Sequence, residues 1–391
     1  MKNIKYLIGG VWVLALVFVG MYFSGVDLFQ EEKIQEKKIQ EEKQEPITVD
    51  LVAFGDFMLH QPQLNVGKTE EGYDFKPVFR YLQENHIEKA DLALINLETT
   101  LTDGSRGYTT FPVFTSPKEV AKNLKDVGFD IISTANNHSF DGGLSGVEFT
   151  IDALKEQGLD VIGSQKEEPQ PFVKEVKGMK IGFLSYTYGL NGFDQTMLNG
   201  EKPYAVNLIS DERVVEDTKK LKDLGVDAMV AFVHWGEEYH QAPTEAQVHY
   251  FNLLADNGVI LTLGSHPHIS QGVSSKKVGQ ENHFVAYSMG NFVSNQRREY
   301  MNNRRPESGL MVKARLEKGI DGKTRVTGFD PSPTYVDKYS DGNGLHFEVI
   351  PVEDVLNGEI EFPRKESIQQ RLEESMGDFR ELIPPEMVLE M

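Results

Sequence analysis

From Ile47 onward the sequence predicts an α/β fold of mixed β-sheets flanked by helices, and three observations predict it. Apolar runs of strand length alternate with amphipathic stretches of helix length in the earlier part. Hairpin signals separate the later runs, Asp321-Gly322 among them. The residues that carry chemistry fall just after the apolar runs, where open α/β sheets place their sites.

Taken in order, Ile47–Phe54 and Asp91–Leu97 (DLALINL) read as buried strands, with apolar residues at helical spacing across Phe75–Asn85 between them. Ser116-Pro117-Lys118-Glu119 reads as a helix start, with Ser as N-cap, Pro in the first turn and Glu closing a capping box. That helix carries Val120, Ala121 and Leu124 on one face and stops at Gly128. Strand Asp130–Ser133, helix Leu144–Gln157 ending at Gly158, and strand Val161–Ile162 are expected next. The second half keeps the same alternation, with strand Lys180–Tyr186, helix Asp211–Leu224, strand Asp227–Val233, helix Thr244–Asn257 and strand Val259–Leu263. His283–Ser288, Gly309–Glu317, Thr324–Pro331 and His346–Val352 complete the expected strands. After about Gly358 the chain reads as helical but charged, a peripheral cap or a tail.

Ahead of this region, Tyr6–Phe23 (YLIGGVWVLALVFVGMYF) is an uncharged apolar run near the lower length limit for a membrane-spanning helix. Lys2 and Lys5 precede it, which favours an N-terminus inside and the bulk of the chain outside. The run ends in Met21-Tyr22-Phe23-Ser24-Gly25, without a small-x-small cleavage site, and no lipobox cysteine follows. An uncleaved anchor is therefore expected. Gln30–Glu45 is a mixed-charge tract with only two Ile, read as a solvated stalk. The expected organisation is residues 1–29 as cytoplasmic stub and anchor, 30–46 as stalk, 47–357 as the main extracellular domain, and 358–391 as a helical extension.

The formal net charge of -20 and the lack of clustered Lys and Arg argue against nucleic acid as a partner. The charge does not exclude an anionic substrate held by metal ions, which bring their own local positive charge. There are no cysteines, so thiolate zinc sites, cysteine nucleophiles and disulfides are all excluded. A transition-metal site would have to use His, Asp, Glu and Asn.

Such residues gather in five places. Asp56 follows the first strand, and Glu98 ends DLALINL, where a carboxylate needs solvent, a partner or a metal. Asn136-Asn137-His138 follows the third strand, with Asp141 three residues on; His234-Trp235-Gly236 and His266-Pro267-His268 follow two later strands. Each alone reads as a turn or a structural histidine. Together they hold four of the ten histidines, and carboxylate, amide and imidazole donors suit Zn, Mn or Fe. Two metals sharing one carboxylate would polarise a phosphoryl or carbonyl oxygen and activate water. Phe292 reads as core, Gly290 and Asn291 as part of the rim, and Trp235 as either wall or packing. Tyr186, Tyr188 and Asn191 follow a strand and are possible substrate contacts.

The ordered segments AFGDFML, LINLETTL, STANNHSFDGG, AFVHWGEEY, LGSHPH and YSMGNFVSNQ resemble the calcineurin-like metallophosphatase superfamily. More closely they resemble its poly-γ-glutamate capsule biosynthesis proteins of the CapA/PgsA type. The resemblance implies a metallophosphatase-like sandwich of mixed β-sheets flanked by helices. It also implies one or two divalent metal ions: Asp56 and His268 at the first, Glu98 bridging, and Asn137, His234 and His266 at the second. His138, with Asp141 nearby, would be the proton donor or charge stabiliser beside the metals. One departure stands out: Met58 occupies the position where the superfamily carries the first metal's imidazole, and His60 lies two residues too far along. The implied partners are poly-γ-glutamate or another anionic polymer and the membrane-embedded subunits that make and export it. Three functions fit: a capsule-synthesis accessory protein with a hydrolase-type site, an extracytoplasmic phosphoesterase, or a non-catalytic polymer-binding scaffold.

Overall fold

A computed structural model describes residues 45–389 and Met391. The expected anchor and all but the end of the expected stalk lie outside the described residues, and among those described no helix is long and apolar enough to cross a membrane. Ile47–Lys318 and Lys323–Met391 form one compact unit, to which every element below belongs.

In chain order the strands are β1 Ile47–Phe57, β2 Leu92–Leu97, β3 Thr100–Thr102, β4 Thr115–Pro117, β5 Ile131–Ser133, β6 Asp160–Ile162, β7 Phe172–Val176, β8 Met179–Thr187, β9 Ala228–His234, β10 Leu261–Ser265, β11 Val273–Val278, β12 Glu281–Ala286, β13 Asn291–Val293, β14 Ser308–Lys318, β15 Thr324–Asp341 and β16 Gly344–Pro351. One sheet runs β16-β15-β14-β1-β2-β5-β6, with β13 also beside β1, and the other runs β11-β12-β10-β9-β8-β7. In the first, β1, β2, β5 and β6 are parallel and β14 to β16 antiparallel. In the second, β8, β9, β10 and β12 are parallel, with antiparallel edges β7 and β11. Both sheets are mixed, as expected.

Alternation along the central strands sets the layers, because successive side chains leave a strand on opposite faces. From β1, Val49, Leu51 and Ala53 pack with Ile181, Phe232 and Leu263 of the other sheet. From the opposite face, Val52 and Phe54 pack with Leu124 and Phe129. In the second sheet Ala231 and Val233 meet Val214 and Leu221 of helix Asp211–Asp223, and Phe251 and Leu254 of helix Glu245–Asp256. The result is helices, sheet, sheet, helices. Strand β2 is buried along its whole length, which is why DLALINL is apolar on both faces.

Local expectations failed where tertiary pairing outweighed propensity. Ser116 and Pro117 lie in β4, paired with β3, and the Ser116 hydroxyl bonds the Thr99 hydroxyl at 2.9 Å. The helix therefore starts at Glu119 and has no side-chain cap. Phe75–Asn85 is not one α-helix; 3₁₀ turn Lys76–Phe79 and π turn Gln83–Ile87 replace it. The C-terminal helix Lys365–Leu382 buries Ile368, Leu372 and Met376 against Tyr335, Ile350 and Val352. At roughly 1.5–3 kcal/mol for each fully buried apolar side chain, that stripe is enough to hold it on the body.

Candidate metal centre

The C-terminal ends of the parallel strands of both sheets bring the candidate residues together. Asp56 belongs to the end of β1, Glu98 follows β2, Asn137 and His138 follow β5, His234 ends β9, and His266 and His268 follow β10. Register aligns them: Asp56 pairs with Asn96 across β1 and β2, and His234 with Ser265 across β9 and β10.

Two backbone devices aim these side chains. The pairing of β1 with β2 slips between Phe54 and Asp56, a bulge that redirects the strand end. Gly55 permits it, since a Cβ there would sit 1.9 Å from the Gly290 carbonyl oxygen, the acceptor of the Asp56 N–H. In the second device, His266 and His268 adopt positive φ angles of 102° and 57°, rare for side-chain-bearing residues. Such conformations cost on the order of 1–3 kcal/mol each and cluster at functional sites.

Glu98 is the centre of the arrangement. It is completely buried, and neither of its carboxylate oxygens has a hydrogen-bond partner. Donor atoms of Glu98, His234 and His266 all lie within 4.8 Å of one another, as do those of Asp56, Glu98 and His268. The Asn137 Oδ1 stands 2.9 Å from His234 Nε2, which places it with the first of these groups. The structure thus joins all six expected ligand residues around the carboxylate expected to bridge. Burial, and then the neighbouring Asp56 carboxylate, push the Glu98 carboxyl well above its usual range. Burial and the adjacent imidazoles hold His234 well below the ordinary histidine value and His266 down to about 3. Two crowded carboxylates beside neutral imidazoles, with Glu98 and His266 Nδ1 unpartnered, are a donor set that fits a divalent cation.

A polar shell fixes these donors, and much of it was not assigned from the sequence. Asn96 donates to Asp56 Oδ1 at 2.8 Å, and the His266 backbone N–H donates to Asp56 Oδ2 at 3.1 Å. Asn136 donates in turn to Asn96 Oδ1 and to the Leu97 carbonyl. Ser265 Oγ lies 2.9 Å from His234 Nδ1, leaving Nε2 to face Asn137 and Glu98. Asn191 accepts from Asn137 Nδ2 at 3.2 Å, which turns the Asn137 oxygen toward the centre. The only sequence signal for Asn96 is an amide in an otherwise apolar strand.

His138 belongs to neither donor group. Its Nδ1 lies 2.7 Å from Asp141 Oδ2, which also accepts the Phe114 N–H at 2.6 Å, and its ring meets Phe114 edge-on. His60 is also outside both groups; its Nδ1 accepts the Asn295 N–H at 3.2 Å, and burial lowers it to about 4. Met58 is buried. Asn291 is fully buried, with its Oδ1 3.1 Å from His268 Nδ1, while Phe292 packs in the core and Trp235 donates to the Tyr287 carbonyl. Tyr186 is buried and bonds Asp217, so it does not reach the centre. Tyr188 lies against His266, with ring centroids 4.6 Å apart, and Tyr239 lies 6.0 Å from His268. Burial and the nearby Glu238 raise both phenols, Tyr188 to about 12.

A family model described as "Bacterial capsule synthesis protein PGA_cap" matches residues 50–296, the stretch that contains every residue of the centre. The chain is 27% identical over 263 residues to the "Capsule biosynthesis protein CapA" of Bacillus anthracis, covering 65% of this chain and 61% of that protein. It is 26% identical over 223 residues to the "PGA biosynthesis protein CapA" of Bacillus subtilis (strain 168), covering 54% of each. The chain therefore spans between about half and three fifths of the length of these relatives. Among solved structures it is similar to the calcineurin-like phosphoesterase YfkN from Bacillus subtilis, with a TM-score of 0.42, 14% identity, and coverage of 85% of this chain and 100% of that one.

Proposed function

We infer function from a fixed premise: the chain belongs to the bacterial capsule synthesis protein family. The proposed role is that of a membrane-anchored accessory protein of poly-γ-glutamate synthesis and export, with a metal-dependent hydrolase-type site acting on the polymer. One observation carries the site reading. Glu98 is completely buried with both oxygens unpartnered, between imidazoles from the ends of β9 and β10, and such a carboxyl can be ionised there only beside a cation that offsets its desolvation.

Divalent ions held there, Mn, Zn or Fe, would supply Lewis-acid polarisation of a carbonyl or phosphoryl oxygen and make water a usable nucleophile near neutral pH. The chain's own residues prepare the rest. Asn96 and the His266 N–H hold Asp56 in place, and Ser265 orients His234. Asp141 takes the Nδ1 proton of His138 in a hydrogen bond and so fixes the tautomer. With Nδ1–H held by the carboxylate, His138 could donate from Nε2 to a leaving group only as the doubly protonated imidazolium, which the Asp141 charge stabilises. Tyr188 and Tyr239 lie against His266 and His268, and as protonated phenols they would offer hydrogen-bond donors to an anionic substrate.

The apolar run Tyr6–Phe23 would serve as the anchor and the charged tract after it as the stalk. Together they would keep the domain on the outer face of the membrane, beside the subunits that make and pass the polymer. The test uses the full chain in a polymer-producing host. Glu98→Gln should abolish divalent-ion binding and change polymer yield or chain length on the order of a hundredfold, the scale of removing an electrostatic catalytic group. Metal content and polymer identical to the parent protein would sink the proposal.

A further inference from the structure

Although the chain carries a formal net charge of -20, one cleft of about 390 Å³ is lined by four cationic side chains, Arg297, Lys338, Arg364 and Arg371, and two carboxylates, Glu299 and Asp337. The cleft lies between β15, the short helix Arg298–Met301 and the start of helix Lys365–Leu382.

Its cations are not equivalent. Arg297 is buried, donates to the Tyr335 hydroxyl and lies 3.4 Å from Glu307, so it is part of the framework. Arg371 also donates to the Tyr335 hydroxyl and lies 3.4 Å from Glu299. Arg364 pairs with Asp337 at 2.8 Å, its guanidinium 4.1 Å over the Tyr339 ring. Lys338 differs from all three. Its ammonium donates only to neutral oxygens, Asn295 Oδ1 at 2.8 Å and the Tyr300 hydroxyl at 3.4 Å, and no carboxylate among the described residues pairs with it. A half-buried ammonium without a counter-charge keeps its attraction for an outside anion, and a guanidinium nearby can add planar hydrogen bonds to the same oxyanion.

The cleft also adjoins the candidate centre. Asn295, which holds Lys338, donates its backbone N–H to His60. Gln296 accepts from Asn291 at 2.9 Å and donates to the Tyr239 hydroxyl at 3.1 Å, and Asn291 in turn contacts His268. The segment Asn291–Arg297 thus links the two: Asn291 contacts His268 at the centre, Asn295 holds Lys338, and Arg297 lines the cleft.

We propose that this cleft is an oxyanion subsite that holds carboxylates of an acidic chain while a neighbouring bond of the same chain lies at the centre. The proposal rests on the reading of that centre as a polymer-processing site. Carboxylates and phosphates share the required chemistry; the commitment here is to carboxylates. Linked to the centre through one segment, the subsite would select chains bearing several charges over isolated acids.

The test compares the full-length protein with Lys338→Gln and Lys338→Glu, neither of which breaks an ion pair. Affinity is read for a labelled γ-linked glutamate oligomer and for inorganic polyphosphate, with and without added Mn, and metal content and thermal unfolding are recorded in parallel. Expected are salt-sensitive binding of the glutamate oligomer by the parent and a loss of at least about tenfold in Lys338→Glu. Lys338→Gln should fall between them, with metal content and unfolding temperature unchanged. Unchanged glutamate binding in both variants, or no binding by the parent, overturns the subsite, and a loss confined to polyphosphate overturns its assignment to carboxylates. A parent that binds no metal sinks the reading of the centre instead, while the Lys338 comparison without Mn still decides the cleft.

Discussion

Around Glu98, the position built from Asn137, His234 and His266 differs in kind from the one built from Asp56 and His268. In the first, Ser265 stands behind His234 and Asn191 behind Asn137, the Asn137 and His234 ligand atoms face each other at 2.9 Å, and His266 Nδ1 has no partner. In the second, the donors are already engaged. Asp56 accepts hydrogen bonds on both oxygens, His268 shares its Nδ1 with Asn291, and Met58 stands where an imidazole was expected. His60 cannot replace it while its Nδ1 holds the Asn295 N–H. If Glu98 bridges two ions as proposed, the two positions should differ in strength, the first retentive and the second exchangeable.

The largest expected effect removes the shared element. Glu98→Gln should lose both positions, and calorimetric titration with Mn should show no heat above background. In the metal-free state above pH 7 the same variant should unfold at a higher temperature than the parent. The sign follows from the raised Glu98 value: the folded state holds its proton more tightly than the unfolded state, so the contribution of this one group to the parent's stability is lost as pH rises past the ordinary glutamate range. A lower unfolding temperature would mean that Glu98 has partners this account denies it.

Next in size is the contrast between the halves. His266→Ala should cost the retentive ion, whereas His268→Ala should leave it and lower stoichiometry only at the exchangeable position. Equal losses in the two variants would erase the distinction. A smaller gain is expected from Met58→His, which restores an imidazole two residues after Asp56, on the same side of an extended chain. Affinity at the second position should rise by roughly 10–100-fold, and an unchanged value would show that the missing imidazole does not cause the asymmetry.

The smallest effect is on acid stability. Unfolded histidines take up protons near pH 6.5, but folded His60 does so only near 4 and His266 near 3. At these rings the unfolded state therefore binds more protons across that window, and the metal-free Glu98→Gln variant, which lacks the opposing titration of Glu98, should lose stability as pH falls from 6.5 toward 4. Denaturant titrations at intervals of pH would check this, and a flat profile would contradict the burial of these rings.

Much of this site was legible in the sequence because strand-end loops are where a parallel sheet presents its polar residues. Asp56, Glu98, Asn137, His234, His266 and His268 each interrupt or follow an apolar run, so their convergence could be read from order alone. Asn96, Asn136 and Ser265 could not, since their partners are 40 or 31 residues away and only the packed sheets bring them into contact. The long buried strands were equally plain. The edge strands β7 and β11 were missed, because partly exposed sequences such as FVKEV and VSSKKV lack the apolar signal of their buried neighbours. The cationic cleft was invisible for a related reason: Arg297, Lys338, Arg364 and Arg371 come from three separate stretches, and the net charge concealed them.

The most direct test of the central claim is a count of divalent ions bound to the purified full-length chain, by elemental analysis before and after brief chelator treatment. Two ions per chain falling to one, and none in Glu98→Gln, is the predicted result. No ion in the parent above the Glu98→Gln background would contradict the account.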